Sequence, residues 1–381
     1  MPEILIAAGE PSGDALAAEL VRAAREVAPE ARFFGMTGAE LQAAGVERVV
    51  DAADIAVMGL VEVIDRIAAA RRALKALVAE ADRRRPAGAI LVDAPDFNLR
   101  LASCLARRGI PVVQVVSPTV WAWRAGRVRT IRRAVRRLLV TLPFEPAIYQ
   151  ETGIDAVYVG NPVVDRIPHP IPPRREVAER IGAVEAAPWL AVLPGSREAE
   201  LARVGPIVAR AARRVREAIP TIEIVAPVAP GLDPARVAEA LVEGPPVRLV
   251  VGERFATLAH CAAGIVKSGT SSLELAVLGV PHVVVWAASP VTWWLARLLV
   301  DVEHVALPNL IARKRIVPEF LQSAARPAAI AAPIVTWLTD AEACAAVEME
   351  LARVRSALGP PGVAGRAARA AFDGLGLAIR D

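Results

Sequence analysis

Aromatic side chains are scarce in this 381-residue chain, at 4% of residues, although hydrophobic residues reach 54%. The core must therefore be largely aliphatic, which suits Ala-rich helices packed on buried, Val-rich parallel strands. Cysteine is nearly absent: Cys104, Cys261 and Cys344 are odd in number, far apart and in no metal-ligand spacing. That excludes a disulfide framework and points to buried free thiols in a reducing compartment. His169, His260, His282 and His304 are scattered, with no H-x-x-x-H pair and no His/Cys cluster, so no metal site is indicated. No uninterrupted apolar run approaches the roughly 20 residues that span a bilayer. The start, Met1-Pro2-Glu3-Ile4-Leu5-Ile6, has an acidic residue and enters a strand at once, unlike a secretory leader. A cytoplasmic location is the expectation.

Lysine is rare as well. Only Lys75, Lys267 and Lys314 occur, so the net charge of +4 and the pI near 9.3 rest on arginine. Arginines cluster at Arg83-Arg84-Arg85 and along Arg124, Arg127, Arg129, Arg132, Arg133, Arg136 and Arg137. Such clusters suit nucleic acid, acidic phospholipid or a phosphorylated substrate; solvated helix faces are the plainer reading.

The length exceeds one ordinary core and suits two α/β domains. Residues 3–8 read as a buried strand, Gly9 to Gly13 as a turn, and Leu16, Leu20, Ala24 and Val27 as one face of a helix. The alternation continues with strand 89–92, helix 99–108, strand 112–116, a basic helix 127–137 and strand 138–142. Then Gly160-Asn161-Pro162 and Pro168, Pro170, Pro172 and Pro173 make a stiff stretch that reads as an interdomain linker. Beyond it strands at 190–193, 222–226, 247–251, 264–266 and 282–285 alternate with helices, and the tail from Arg326 is helical. Alternation of this kind implies two doubly wound, Rossmann-like parallel sheets facing across a cleft. The expected domains are 1–165 and 166–325, with 326–381 as C-terminal helices that pack back on the first domain.

Ligands of such sheets bind beyond the carboxyl ends of strands, so polar residues there carry the chemistry. Gly9-Glu10-Pro11-Ser12-Gly13-Asp14 allows close backbone approach and anion binding at a helix start, or Ser12 or Asp14 simply caps that helix. In Leu91-Val92-Asp93-Ala94-Pro95-Asp96-Phe97-Asn98 an apolar strand ends in two carboxylates. Asp93 suits a general base, whereas Asp96 or Asn98 suits a helix cap. Trp121 and Trp123, beside Arg124, offer flat faces to a sugar or acyl chain, or pack into the core. Gly195-Ser196-Arg197 and Ser268-Gly269-Thr270-Ser271 each place a small-residue loop at a strand end and helix start, as phosphates require. Glu274, one turn on, suits ribose hydroxyls or a capping box. No D-x-D pair is present to hold a diphosphate through a metal, so cationic side chains and helix ends would carry that charge.

The strings AGEPSGD, AVMGLVEV (Ala56–Val63), LVDAPDFN, SPTVWAWR, LPGSREAE, SGTSSLELA and LPNLIA (Leu307–Ala312) closely resemble the lipid-A-disaccharide synthase family, in order, from residue 3 to about residue 322. The resemblance implies a GT-B glycosyltransferase of inverting type with no cofactor. UDP-2,3-diacylglucosamine would be the donor and 2,3-diacylglucosamine 1-phosphate the acceptor, giving a β-1,6-linked disaccharide and UDP. It implies Asp93 as the base, Arg197 and Asn309 for the diphosphate and donor sugar, and Ser268, Gly269, Thr270 and Glu274 for UDP, beside Gly195 and Ser196. Gly9, Glu10, Ser12, Gly13, Asp14, Met58, Gly59, Glu62, Asp96, Trp121 and Trp123 fall on its acceptor side. Asn161 replaces a usual histidine, and Trp286-Ala287 replaces a usual Tyr followed by a basic residue. Rival readings are another GT-B enzyme, such as a UDP-N-acetylglucosamine epimerase or the peptidoglycan transferase, or a two-domain protein that binds a nucleotide sugar without chemistry. Nucleic acid is not an expected partner. Acylated substrates imply peripheral contact with the inner face of the cytoplasmic membrane, through Met58, Leu60, Trp121, Trp123 and the 124–137 arginines. Trp293, Trp294, Leu295, Leu298 and Leu299 add to that surface or to the core.

Overall fold

The segment Glu3–Ala8 forms strand β1, and it is apolar after its first residue because both faces of its sheet are covered. Ile4, Ile6 and Ala8 enter one core; Leu5 and Ala7 enter the other. The computed structural model describes residues 1–54, 63–118, 120, 126–289, 293 and 303–379. Two compact units result, Met1–Pro162 with Pro360–Asp381, and Val163–Gly359.

In the first unit β2 (Arg32–Thr37), β3 (Glu47–Asp51), β4 (Gly88–Val92), β5 (Val112–Val115), β6 (Arg137–Val140) and β7 (Ala156–Tyr158) join β1. The order is β3-β2-β1-β4-β5-β6-β7, and every pairing is parallel. Parallel strands need crossovers, supplied mainly by helices α1 (Pro11–Val27), α2 (Ala39–Ala43), α3 (Val63–Arg84), α4 (Pro95–Ala106), α5 (Arg127–Ala134) and α6 (Glu145–Gln150). Helix Val363–Leu375, from the far end of the chain, packs beside α1 on the Ile4–Ile6 face.

The second unit contains α7 (Val163–Arg166), α8 (Arg174–Ile181), β8 (Trp189–Leu193), α9 (Glu198–Ala218), β9 (Glu223–Pro227), α10 (Pro234–Ala240) and β10 (Val247–Val250). It continues with α11 (Arg254–Ala259), β11 (Ala263–Lys267), α12 (Thr270–Leu278), β12 (His282–Trp286) and β13 (Glu319–Leu321). Its order, β10-β9-β8-β11-β12-β13, is again wholly parallel and repeats the winding of the first sheet. Helices Pro327–Thr339 and Ala341–Ala357 belong here: Ile330, Ile334, Leu351 and Val354 are buried in its two cores. Among the described residues no single helix is long and apolar enough to cross a membrane.

The structure departs from the sequence reading in four places. The basic helix ends at Ala134, because Arg137 already opens β6. The Gly9–Gly13 turn is shorter, since Pro11 takes the first helical position, where a missing N–H costs nothing. The Pro-rich stretch is not all linker: Val163, Val164 and Ile167 lie in the second core. The tail from Arg326 divides, with 327–357 in the second unit and only the segment from Pro360 in the first.

Candidate active site

In the first sheet the winding reverses between β1 and β4, and beyond the carboxyl ends of those strands two short turns meet. A Cβ on Gly9 would lie 2.8 Å from Ala94 Cβ, and one on Gly13 would lie 3.4 Å from Asp93 Cβ. The glycines thus let the start of α1 lie against the end of β4, so the Gly9–Asp14 and Asp93–Asn98 motifs form one site. Glu10 and Ser12 are exposed there, and neither caps α1 by its side chain. Asp14 is 3% exposed and accepts the amides of Gly38 at 2.7 Å, Glu40 at 2.8 Å and Leu41 at 3.4 Å. It therefore secures the first turn of α2 rather than α1, which is a structural task.

Asp93 and Ala94 both have positive φ, +52° and +42°. Two consecutive L-residues in that region cost about 1–2 kcal/mol each. Such strain is retained where the surroundings over-determine it, characteristically at working sites. Burial raises the Asp93 carboxyl above its ordinary pKa, and the charge of Glu10 adds to this; a hydrogen bond from the Ala94 amide opposes both. A half-buried carboxylate of raised basicity is suited to take a proton. Asp96 does not cap α4; it is exposed and ion-pairs with Arg127 at the start of α5. Asn98 is not a cap either, because its side chain turns back under β4. Beyond β5, Ser117 Oγ lies 2.5 Å from the Tyr149 hydroxyl, and burial pushes that phenol up to about 12.

The second sheet repeats the arrangement, with its reversal between β8 and β11. After β8, Gly195 has φ +134°, and a Cβ there would meet the Glu200 side chain at 2.6 Å. Ser196 and Arg197 are exposed at the start of α9. After β11, Gly269 (φ +152°) precedes α12, whose first residue is Thr270. The two loops are joined by Lys267 and Glu200, to which the sequence reading gave no role. Lys267 Nζ lies 2.7 Å from Glu200 Oε1, while Glu200 Oε2 accepts the Ser196 amide at 3.0 Å. Burial works against the Glu200 charge, but Lys267 and the Ser196 amide prevail, with Arg197 assisting, and hold the carboxyl below its usual range. The available signal was Lys267 itself, one of three lysines, directly ahead of a Ser-Gly turn.

Glu274 is neither a cap nor unengaged. Arg254 reaches its Oε2 through Nε at 3.0 Å and Nη2 at 2.6 Å, and the same Nη2 donates to Ser271 Oγ at 3.0 Å. Both Arg254 bonds to Glu274 thus fall on one carboxylate oxygen, Oε2. Ser268 donates its Oγ to the Val305 carbonyl at 3.2 Å. Asn309 is 0% exposed, its amide donates to Val317 O and Glu319 Oε1, and its oxygen accepts the amides of Ile316 and Val317. These four bonds match the full capacity of its amide and shape the loop after helix Leu307–Ala312. At the end of β12 the Trp286 and Trp293 rings lie 5.6 Å apart and tilted at 47°. Met58, Gly59, Leu60, Glu62, Trp121, Trp123, Arg124, Trp294, Leu295, Leu298 and Leu299 lie outside the described residues.

Two doubly wound units of the same strand order, each with a glycine-bearing loop at its winding reversal, define the GT-B class of nucleotide-sugar enzymes. Solved structures agree on the fold. The UDP-GlcNAc 2-epimerase of Neisseria meningitidis, solved with UDP-GlcNAc, superposes with a TM-score of 0.59 at 12% identity, over 98% of this chain and 99% of its own. The calicheamicin glycosyltransferase CalG4 gives 0.59 at 17% identity, over 98% of both chains. Sequence narrows the class further. The pattern of the lipid-A-disaccharide synthetase family matches residues 4–370. The lipid-A-disaccharide synthase of Myxococcus xanthus strain DK1622 is 44% identical over 375 residues, 98% of this chain and 97% of its own. The chain belongs to the lipid-A-disaccharide synthase family.

Proposed function

We propose that the protein transfers 2,3-diacylglucosamine from its UDP carrier to the 6-hydroxyl of 2,3-diacylglucosamine 1-phosphate, releasing UDP and the β-1,6-linked disaccharide 1-phosphate. Asp93 carries the proposal, as a carboxylate of raised basicity in a strained turn at the winding reversal of the first sheet. It takes the proton of the acceptor hydroxyl as that oxygen attacks the anomeric carbon. The bond to the UDP oxygen breaks on the opposite face, and the configuration inverts.

The leaving diphosphate needs positive charge as it departs. In the second unit Arg197, the amides of Gly195 and of the Gly269–Thr270 loop, and Lys267, whose ammonium keeps two protons beyond its bond to Glu200, supply it. Glu274 Oε1 accepts from the ribose, and the Trp286 face lies at the same end of the sheet. Asn309 acts indirectly, by fixing the loop behind Val305, whose carbonyl holds Ser268.

The test is UDP release from the two acylated sugars in EDTA, comparing the wild type with Asp93→Asn. Turnover should fall by about 10²–10⁴-fold, the usual contribution of a positioned base, with UDP affinity unchanged. Full activity in the variant would remove Asp93 from the mechanism, and a silent, folded wild type would remove the reaction.

Both substrates carry acyl chains, so the enzyme works at the inner face of the cytoplasmic membrane. The exposed arginines of α5, Arg129, Arg132 and Arg133, together with Arg136, supply charge for acidic headgroups. Flotation with anionic liposomes should be lost on charge reversal at Arg132 and Arg133. Arg127 is excluded from that test because reversing it would also break its ion pair with Asp96.

A further inference from the structure

Two buried amides converge beneath Asp93. Asn98, on α4, and Gln114, on β5, are both 0% exposed. Asn98 Nδ2 donates to the carbonyls of Asp93 at 2.8 Å and Val92 at 3.1 Å, with that of Ala7 at 3.5 Å. Gln114 Nε2 donates to the carbonyls of Asp93 and Val115, each at 3.2 Å, with that of Val116 at 3.5 Å. The Asp93 carbonyl therefore accepts from both side chains. The amide oxygens, Asn98 Oδ1 and Gln114 Oε1, have no hydrogen-bond partner and are buried. Rotating either amide would set its oxygen against carbonyl oxygens, so the carbonyl-rich surroundings fix the orientation.

This arrangement is not what helix capping or strand pairing asks for. An Asn at a helix start ordinarily accepts from the amides of its own helix, whereas Asn98 donates to the preceding strand. A glutamine in the middle of a parallel sheet's core is out of place among Val112, Val113 and Val115. Both bond the Asp93 carbonyl of the positive-φ pair Asp93–Ala94, and Gln114 also reaches the carbonyl of Val116 (φ +69°), where β4 and β5 end side by side.

We propose that Asn98 and Gln114 are positioning residues that clamp the Asp93 peptide in its left-handed conformation and so fix the direction and burial of the carboxylate. The inference rests on the reading of Asp93 as the base. Without the clamp the turn relaxes toward ordinary backbone geometry, the carboxylate gains water, and its aim at the acceptor hydroxyl is lost. Glu10, immediately before α1, is the charged group whose field reaches Asp93.

The test uses Gln114→Met, which keeps the side-chain length and removes the donor, and Gln114→Asn, which keeps an amide one methylene short. Each should lower kcat by about 10–100-fold while KM for both sugars and Kd for UDP stay within about twofold. The Asp93 carboxyl resonance, assigned by its absence in Asp93→Asn, should titrate at lower pH in both variants. That titration is read on the substrate-free protein and stands whether or not the proposed reaction is correct. An unchanged kcat together with an unmoved titration in a folded variant would overturn the clamp. So would equal losses in kcat and UDP affinity, because the first unit would then be acting only through general stability. If both glutamine variants unfold, Asn98→Ser, which keeps a shorter donor, carries the same two expectations.

Discussion

Asp93 takes its basicity from burial first and from Glu10 second, and the two are separable by one substitution. Glu10 is exposed, so Glu10→Gln removes a charge without opening the core. A raised pKa leaves the carboxylate protonated, and inactive as a base, over part of the acid range. Removing the Glu10 charge lowers that pKa, so the acidic limb of kcat/KM should move to lower pH. A limb that stays in place or moves upward contradicts the assignment. Arg254 presents the opposite case, a cation needed by a neighbour. Its partner Glu274 has a side chain only 9% exposed, and Arg254 is the cation bonded to it. Arg254→Met should therefore cost the second unit about 3–5 kcal/mol, the usual penalty for orphaning a buried charge. The urea midpoint should fall in Arg254→Met and largely recover in Arg254→Met/Glu274→Gln. Recovery confined to stability, with UDP affinity still weak, would agree with a ribose contact by Glu274.

Between α12 and β12 a pH-dependent joint is built from Ser272 and His282, both fully buried. His282 Nδ1 lies 2.8 Å from the Val280 carbonyl, so it carries the proton and donates; Nε2 then accepts from Ser272 Oγ at 2.8 Å. Burial lowers the imidazole pKa to about 4, against 6.5 in the unfolded chain, with the Val280 bond opposing. The native state thus refuses a proton that the unfolded state accepts. Stability from this group is complete above about pH 6.5, declines as pH falls, and levels off near pH 4, a loss on the order of 3 kcal/mol. Denaturant titrations of wild type and His282→Gln between pH 7 and 4 should diverge in slope within that window; parallel curves would refute the account. How far such elements could be read from sequence depends on where their partners lie. The apolar runs of β1, β4, β8 and β11 and the loops after them declare themselves, because burial on two faces leaves no polar alternation. Residues 32–51 escaped, since charged residues at Arg32, Glu47, Arg48 and Asp51 interrupt the apolar runs of β2 and β3 and only a five-residue helix joins them. Arg137 was read into a helix because its partners, Asp155 and Asp373, are 18 and 236 residues away. Arg84 looked like surface charge, yet it joins Glu3, Glu47 and Glu80 and lies 4.5 Å over the Phe34 ring. Asn309 stood in the LPNLIA string, but the saturation of its amide is a property of the folded loop and leaves no mark in the sequence.

The chain as a whole passes from the first unit to the second and back, so the first sheet is not covered until the last residues arrive. Helix Val363–Leu375 buries Val363, Ala367, Ala368, Ala371, Phe372 and Leu375 against α1 and the strands. The fit is close: a Cβ on Gly88 would come within 2.5 Å of Leu375 Cδ2, and one on Gly374 would sit 3.0 Å from Val113 and Arg137 atoms. Arg366 bonds the carbonyl of Val159 at 2.9 Å and those of Pro360 and Pro361 at 2.7 Å each, tying the returning chain to the end of the sheet. Burial of Val363, Phe372 and Leu375 alone contributes about 1.5–3 kcal/mol each. That sum rivals the whole net stability of an ordinary domain, about 5–15 kcal/mol. A chain stopped at Gly359 should therefore lose the first unit and keep the second, whose helices Pro327–Thr339 and Ala341–Ala357 end before the cut. Hydrogen exchange reads the two separately: amides of β1 and β4 should exchange freely in the truncated chain, while those of β8 and β11 keep their protection. UDP binding should survive, because Arg197, Lys267 and Glu274 all lie in the retained unit, and disaccharide formation should not, because Asp93 lies in the lost one. Protected β1 and β4 amides in the truncated chain would show that residues 1–162 hold together without the returning helix, and that this helix seals the fold rather than completes it.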